Sequence, residues 1–422
     1  MVTSQFPHFI PERSAQHDVE GSCTLQVATS KMWQNSSLSI LVIPTWYPSS
    51  DDPVAGIFIR NQAIALAQTG IDVAVLAVTQ EGQPSSPVIT SEDGVRVVRA
   101  SLGRTTGTLG RLKYYLQWFS ALQKLQMKAY RKLQATGFQP DIVHVHTLWP
   151  AARAVSVLGE ETPFMVTEHS EEYLVGTERK LLKVPGILPI VLRPLARRAA
   201  AYIVPSRSLT NSLKELRMHH SIQIVPNVVP SRDIVMSYPI EAVKNILHVS
   251  QFGEAKNIPL LLHALKQVRS GRSDFVLHLV GDGDNRSLIE QMVHDLELQD
   301  CVKFHGSCTS AQINSLLDQT AFSVISSRHE TFSVFGAESL MAGRPVLSTR
   351  CGGLEDYIGA EQGLLVTNNN EQALVDGIVW MLDNYQSFDP QLLNDYAREH
   401  FAPEVVAKQL IGLYNQALGL QA

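Results

Sequence analysis

Glu330 and Glu338 stand eight positions apart in the segment HETFSVFGAESLMAGRPVLSTRCGG, residues 329–353. The apolar run AFSVIS before it reads as a strand and FGAESLMAG as a helix. Glu330 then falls in the connecting loop and Glu338 in the first helical turn. The backbone N–H groups of about Ser333 to Gly336 are the unpaired donors of that helix N-terminus, which suits phosphate oxygens. A carboxylate on either side can accept hydrogen bonds from sugar or ribose hydroxyls. Two carboxylates also repel a phosphate, so a cation has to come from elsewhere. Lys256, in the loop FGEAKN after the apolar run NILHVSQF, is the candidate. At the carboxyl end of a strand its ammonium can neutralise a leaving diphosphate as a point charge. Any one of these parts is a weak signal; the combination is specific.

Plainer alternatives stand beside these readings. The two glutamates also fit a solvated loop acid and a helix-terminal acid in a favourable dipole field. Lys256 also fits a surface lysine, and His169, after the strand PFMVTEH, a satisfied core histidine. Gly352 and Gly353 serve either a turn or a ligand contact. His144 and His146 alternate along DIVHVH, and neither lies with acids or cysteines at metal-ligand spacing. Structural roles are expected for both, and no metal site.

The elements that position these groups alternate regularly. SILVIP (residues 39–44) reads as a strand and residues 58–68 as a helix, with Ile59, Ala63, Leu66 and Ala67 on one face. DVAVLAV, VRVVRA, a long helix near residues 108–134, DIVHVH, PFMVTEH, AYIVPS, a helix from Ser206 and IQIVP follow. After a connector at residues 230–243 the cycle restarts with NILHVSQF, IPLLLHALKQV and DFVLHLVGDGD. Short apolar strands separated by amphipathic helices mean parallel sheets covered on both faces. The expected fold is α/β with two Rossmann-like doubly wound domains facing a cleft at the carboxyl ends of their strands. The expected divisions are a poorly ordered extension at 1–37, a first Rossmann-like domain at 38–230 and a second at 231–400. A C-terminal helix at 401–422 packs back on the first domain.

The composition suits such a fold, with 45% hydrophobic and 18% charged residues over 422 positions. Cys23, Cys301, Cys308 and Cys351 are too scattered for a disulfide framework, and a reducing, cytoplasmic setting is expected. The N-terminus lacks a signal-peptide apolar region, and the most apolar stretch, residues 184–192, is about half a bilayer span and holds two prolines. The net charge of −5 divides unevenly: residues 1–233 carry 23 Lys+Arg against 18 Asp+Glu. Residues 94–140 and 179–214 contain nine and eight basic residues and no acids. Beside apolar helix faces such stretches suggest peripheral contact with an anionic membrane, at its inner face. An ordinary amphipathic helix with a basic solvent face is the alternative. Nucleic acid is not an expected partner.

From residue 39 to 420 the chain resembles the retaining glycosyltransferase family 4, through WYPSSDDPVAGIFIRNQAIALA, PDIVHVH, PFMVTEH, SQFGEAKN, VGDGDNRSLIE, the Glu-x7-Glu segment and GRPVLSTRCGGLED. The resemblance implies the GT-B fold and a nucleotide-sugar donor, a UDP- or GDP-sugar. It implies transfer of a hexosyl group to a glycan or lipid-linked acceptor by a metal-independent, front-face route. Glu330 would hold donor-sugar hydroxyls, Glu338 the ribose, and Lys256 the diphosphate, with the backbone of Phe332, Ser333 and Val334 nearby. Gly56 would sit in a glycine loop of the first domain, and His169 would face the donor sugar. Where the family often has an arginine five residues before the lysine, this chain has Gln251, which can donate a hydrogen bond to the donor but carries no charge, so either donor affinity is lower or another cation such as Arg60 or Arg328 substitutes. A sugar-nucleotide epimerase or phosphorylase of the same fold, or a silent binding subunit, are the alternatives.

Overall fold

The computed structural model describes residues 38–79, 83–103, 111–155, 162–174, 187–239 and 241–420. The expected extension at 1–37 lies outside them. Residues Asn35–Ala422 form one compact unit.

The first half runs β1 (Ser39–Pro44), α1 (Ile57–Gln68), β2 (Asp72–Thr79), β3 (Ser85–Glu92), β4 (Val95–Ser101), α2 (Arg111–Gln134) and β5 (Ile142–His146). It continues with α3 (Leu148–Val155), β6 (Phe164–Thr167), α4 (Ile187–Arg198), β7 (Ala201–Val204), α5 (Arg207–Glu215) and β8 (Ile222–Ile224). These strands form one sheet in the order β3-β4-β2-β1-β5-β6-β7-β8. Every pairing is parallel except β3 with β4. The antiparallel edge strand β3 is absent from the sequence expectation. Its residues SSPVITSE are mostly exposed, so it lacks the apolar run that marks a covered strand.

The second half runs β9 (Lys244–Val249), α6 (Ile258–Gly271), β10 (Phe275–Val280), α7 (Arg286–Asp295), β11 (Val302–Gly306), α8 (Ser310–Asp318) and β12 (Phe322–Ile325). It ends with α9 (Val334–Met341), β13 (Val346–Thr349), β14 (Gly363–Val366), α10 (Glu371–Asn384), α11 (Pro390–Phe401) and α12 (Pro403–Leu418). Its six strands are all parallel, in the order β11-β10-β9-β12-β13-β14. In each sheet the order reverses at the first strand: β1 lies between β2 and β5, and β9 between β10 and β12. The loops after β1 and β9 therefore open at topological switch points, where α/β sheets bind ligands. Gly56 ends one of these loops and Lys256 the other.

Burial on both faces explains the apolar strands. Ile40, Leu41, Val42 and Ile43 of β1 are all buried, with α1 packing one face. Each such side chain contributes about 1.5–3 kcal/mol relative to exposure. Helix α12 joins the first sheet's core through Val406, Leu410 and Tyr414, and the Tyr414 hydroxyl lies 2.6 Å from His144 Nδ1. The connector is fastened to the second sheet. The buried Arg344 guanidinium donates to the carbonyls of Leu317 (3.1 Å), Asp318 (3.1 Å), Val235 (3.4 Å) and Ser237 (3.4 Å). Arg232 reaches Asp318 at 2.5 Å, and Val229 N donates to Phe401 O at 2.9 Å.

The acid-free basic stretches fall partly outside the described residues, at 104–110 and 179–186. Where α2 is described, Lys128 donates to Ser86 Oγ (3.3 Å) and Lys132 to Pro87 O (2.7 Å), so these two cations hold β3. Lys124 and Arg131 are exposed. Among the described residues no helix is long and apolar enough to cross a membrane.

Candidate functional site

The loop after β9 turns through a short 3-10 segment, Glu254–Lys256, and is stitched to the loop after β12. Arg328 N donates to Ala255 O at 2.7 Å, and Ser326 Oγ to Lys256 O at 2.9 Å. These bonds bring Lys256 Nζ to 2.7 Å from Glu330 Oε1, which also accepts from Ser327 Oγ at 2.7 Å. The Glu330 backbone is pinned in turn: its N–H donates to Cys351 O (2.8 Å) and its carbonyl accepts from Gly353 N (2.9 Å). Glu330 is buried, and its Oε2 has no hydrogen-bond partner among the described residues. Burial works to lower the Lys256 ammonium, but the Glu330 carboxylate against it holds it above its ordinary value. Glu171, from the first sheet's side, acts in the same direction.

Ser333 caps α9, its Oγ accepting from Gly336 N at 3.4 Å. Its φ of 65° is left-handed, a strained position for a non-glycine residue. The Tyr357 hydroxyl holds it there, sharing its proton between Phe332 O (2.9 Å) and Ser333 O (2.8 Å). The Phe332 ring packs against Tyr357 and Phe401 in the core, so only its backbone is available at the site. Glycines let these loops close together. A Cβ on Gly336 would lie 2.6 Å from the Tyr357 hydroxyl, and one on Gly353 2.4 Å from Thr331 O.

Glu338 lies in the second turn of α9, not the first, because the helix already starts at Val334 behind the Ser333 cap. Its carboxylate has no hydrogen-bond or ion-pair partner among the described residues, and burial pushes it up to about 7. Gln251 is exposed in the same loop as Lys256, its carbonyl accepting from Gly253 N at 2.7 Å. Neither expected substitute cation is free. Arg328 faces Glu254 at 3.1 Å, and Arg60 faces Asp93 at 2.5 Å.

On the first sheet, Gly56 sits at the start of α1 with φ 64°, and a Cβ there would lie 2.3 Å from Trp46 O. Glycine is thus required by the chain's own loop. His169 follows β6 and is buried, with Phe58 at 4.6 Å between ring centres. Its Nε2 lies 3.0 Å from His146 Nδ1, which draws His146 into the site's supporting layer. His144 is structural, bonded to Tyr414 and Thr167. Glu168, beside His169, was not singled out from sequence. It is buried and accepts from the N–H groups of Leu148, His169 and Ser170 and from the Tyr202 hydroxyl. Burial pushes its carboxyl up to about 6 against these bonds.

The loops of the two sheets meet over this region. Arg207 N donates to Asp356 Oδ2 at 2.6 Å, and Gly352 faces Ser208. At the carboxyl ends of β2 and β4 a cavity of about 1260 Å³ is lined by Asp51, Ile57, Arg60, Glu92, Arg99 and neighbouring small polar residues. Its arginines are paired: Arg99 grips Glu92 at 3.0 and 3.1 Å, and Arg60 grips Asp93. Ile57 of α1 lines this cavity, and the next residue, Phe58, packs on His169. Among the described residues no group of three or more potential metal ligands occurs.

Glu330, Lys256, Ser333 and Val334 thus come together at the second sheet's switch point. Ser327 and Tyr357 support them and carry no sequence signal of their own. Gln62 did carry one: it is a polar residue in register with the buried Ile59, Ala63 and Leu66 of α1.

Residues 55–228 match a glycosyl transferase 4-like domain, and residues 237–400 match glycosyl transferases group 1. A glycogen synthase from Mycobacterium tuberculosis H37Rv is 23% identical over 82% of this chain and 86% of its own length. An N-acetyl-alpha-D-glucosaminyl L-malate synthase from Bacillus anthracis is 25% identical over 65% of this chain and 73% of its own. Among solved structures, sucrose-phosphate synthase from Thermosynechococcus elongatus superposes with a TM-score of 0.72 at 21% identity, covering 91% of this chain and 100% of that one. Anabaena Alr3699/HepE in complex with UDP-glucose gives 0.65 at 16% identity, with 89% and 99% covered.

Proposed function

The chain belongs to the glycosyltransferases of family-4 type, with the GT-B fold, and we propose that it moves a hexosyl group from a UDP- or GDP-sugar to a glycan or lipid-linked hydroxyl with retention of configuration and no metal. The observation that carries this reading is the pair of open carboxylate positions flanking the start of α9. Glu330 Oε2 and the Glu338 carboxylate lack partners among the described residues, while Lys256 stands against Glu330. A nucleoside diphosphate sugar supplies what each lacks. Sugar hydroxyls donate to Glu330, ribose hydroxyls to Glu338, and diphosphate oxygens accept from Lys256 and the first N–H groups of α9.

In the transfer, the bond from the anomeric carbon to the diphosphate oxygen breaks. The acceptor oxygen bonds to the same face, and its proton passes to the departing diphosphate. Lys256 and the helix terminus stabilise the charge that develops on that leaving group. His169 closes the sugar site from the first sheet. The acceptor enters through the cavity beside α1. Because its described arginines are already paired, that cavity suits a neutral polyhydroxylated acceptor better than an anionic one. The exposed Lys124 and Arg131 of α2 extend the same reading to peripheral attachment at the cytoplasmic face of an anionic membrane. Flotation with anionic but not neutral liposomes is the expected result for that attachment.

The test is calorimetric titration with UDP, GDP, ADP and their sugars in the presence of a chelator. NMR of the product's anomeric coupling then follows with the donor that binds. One nucleotide bound selectively, and an α-donor giving an α-product, are expected. An inverted product, or conversion of the donor sugar without acceptor, overturns the reading.

A further inference from the structure

His169 has one ring nitrogen committed and one open. Its Nε2 lies 3.0 Å from His146 Nδ1, and the two rings, 5.3 Å apart between centres and within 5° of parallel, meet edge to edge as an in-plane hydrogen bond requires. His146 Nε2 in turn lies 3.3 Å from the Gln62 amide nitrogen. All three side chains are buried: Gln62 is 5% exposed, His146 0% and His169 7%. The remaining nitrogen, His169 Nδ1, is buried and has no hydrogen-bond partner among the described residues. A buried polar atom without a partner is uncommon enough to need a reason.

Both imidazoles are neutral in this setting, since burial pushes His169 down to about 3 and His146 well below its ordinary value. A neutral imidazole carries one N–H and one lone pair, so fixing one nitrogen fixes the other. An amide nitrogen only donates. With Gln62 Nε2 facing it, His146 Nε2 accepts, and the His146 proton is on Nδ1. That proton points at His169 Nε2, which must accept. The His169 proton is therefore on Nδ1, the open position.

We infer that Gln62 and His146 are positioning residues that lock His169 in the Nδ1–H form, so that the first sheet presents a hydrogen-bond donor to an oxygen of the bound sugar. This rests on the reading of the site as a sugar-nucleotide pocket. It gives His169 a defined part there, because a ring held in this form binds a hydroxyl or ether oxygen and cannot take the acceptor's proton. The Phe58 ring packs against the imidazole at 4.6 Å between centres, tilted by 54°.

The tautomer can be read without substrate. Long-range proton–nitrogen correlation on the full ¹⁵N-labelled chain at pH 7, assigned with His146→Gln and His169→Gln, is expected to show protonated Nδ1 and bare Nε2 for both rings. Free histidine prefers the opposite form, so the result discriminates. Gln62→Met removes the donor while keeping side-chain length. It should return His169 to the Nε2–H form or to exchange, and lower turnover about tenfold with nucleotide affinity unchanged. A wild-type His169 protonated at Nε2, or a tautomer that Gln62→Met leaves unmoved, overturns the inference. Should Gln62→Met fail to fold, the wild-type spectrum still decides. Should the chain transfer no sugar, the tautomer stands or falls independently of that outcome.

Discussion

The two sheets meet the site in different ways. On the second sheet, the functional groups are fixed by their own backbone. Glu330 is bonded through N–H and C=O to the loop after β13, Lys256 is stitched to the loop after β12, and Ser333 is held in a left-handed conformation by Tyr357. On the first sheet, side chains fix one another: Gln62 holds His146 and His146 holds His169. The cavity next to them is lined by loops whose arginines are paired with Glu92 and Asp93. On the proposed reading the second sheet is a mould for a chemically constant ligand, a nucleoside diphosphate. The other is a surface whose loops can be altered without disturbing the mould. Such a division lets one fold serve many acceptors.

If the second sheet is the mould, the largest effect belongs there. Glu330→Ala should lower turnover by about 10³-fold while nucleotide affinity stays within about threefold, since the lost contact is to the sugar. Steady-state kinetics beside calorimetry separates the two, and an unchanged turnover would break the comparison outright.

Gly56 asks whether the first sheet has any backbone requirement as strict. Its φ of 64° and the 2.3 Å approach to Trp46 O leave no room for a methyl group. Gly56→Ala should cost about 1–3 kcal/mol, visible as a lower thermal midpoint. A midpoint equal to the parent's would mean that the loop after β1 yields easily.

A smaller effect sharpens the role of Glu338. Its carboxyl is pushed up to about 7, above its ordinary value, so it favours the fold while protonated. That support is lost as pH rises through about 7. Ribose hydroxyls favour the ionised form, so binding lowers the value and affinity grows with pH. At pH 6 the affinity for the nucleoside diphosphate should be about tenfold below its plateau above pH 8. In Glu338→Gln the profile should be flat, and a parent profile already flat would remove Glu338 from the ribose site.

Arg60→Ala carries the smallest expectation. Its ion pair with Asp93 is partly exposed, and its loss should raise the acceptor KM about threefold with the donor KM unchanged. A change confined to the donor would place the cavity on the wrong side of the reaction.

Much of the two-sheet pattern was legible in sequence for a physical reason. Strands covered on both faces are apolar throughout, as in β1, β2 and β5, and they alternate with amphipathic helices. Strand β3 escaped because an edge strand with an exposed face has no such run. Glu330, Glu338 and Lys256 were visible because they sit in local strand–loop–helix junctions. The turn of α9 that carries Glu338 was misplaced by the cap, since Ser333 adopts a conformation that residue type does not announce. Tyr357 lies 24 positions from Ser333, and Gln62 lies 84 from His146. Contacts of that separation leave no periodicity to read, although Gln62 itself stands out as a polar residue on the apolar face of α1.

The fastening of the connector by Arg344 and Arg232 has a mechanical consequence. Residues 232–237 belong to the second sheet's body, so the free crossings between the sheets shrink to two short pieces, Val225 to Val229 and the junction of α11 with α12. The bond from Val229 N to Phe401 O ties these crossings together at one point. A body joined to another by two strands tied side by side resists sliding and resists being pulled away, yet turns readily about the tie. The contact of Arg207 N with Asp356 Oδ2 is a separate link between the two sheets, made through their loops and not through the chain crossings.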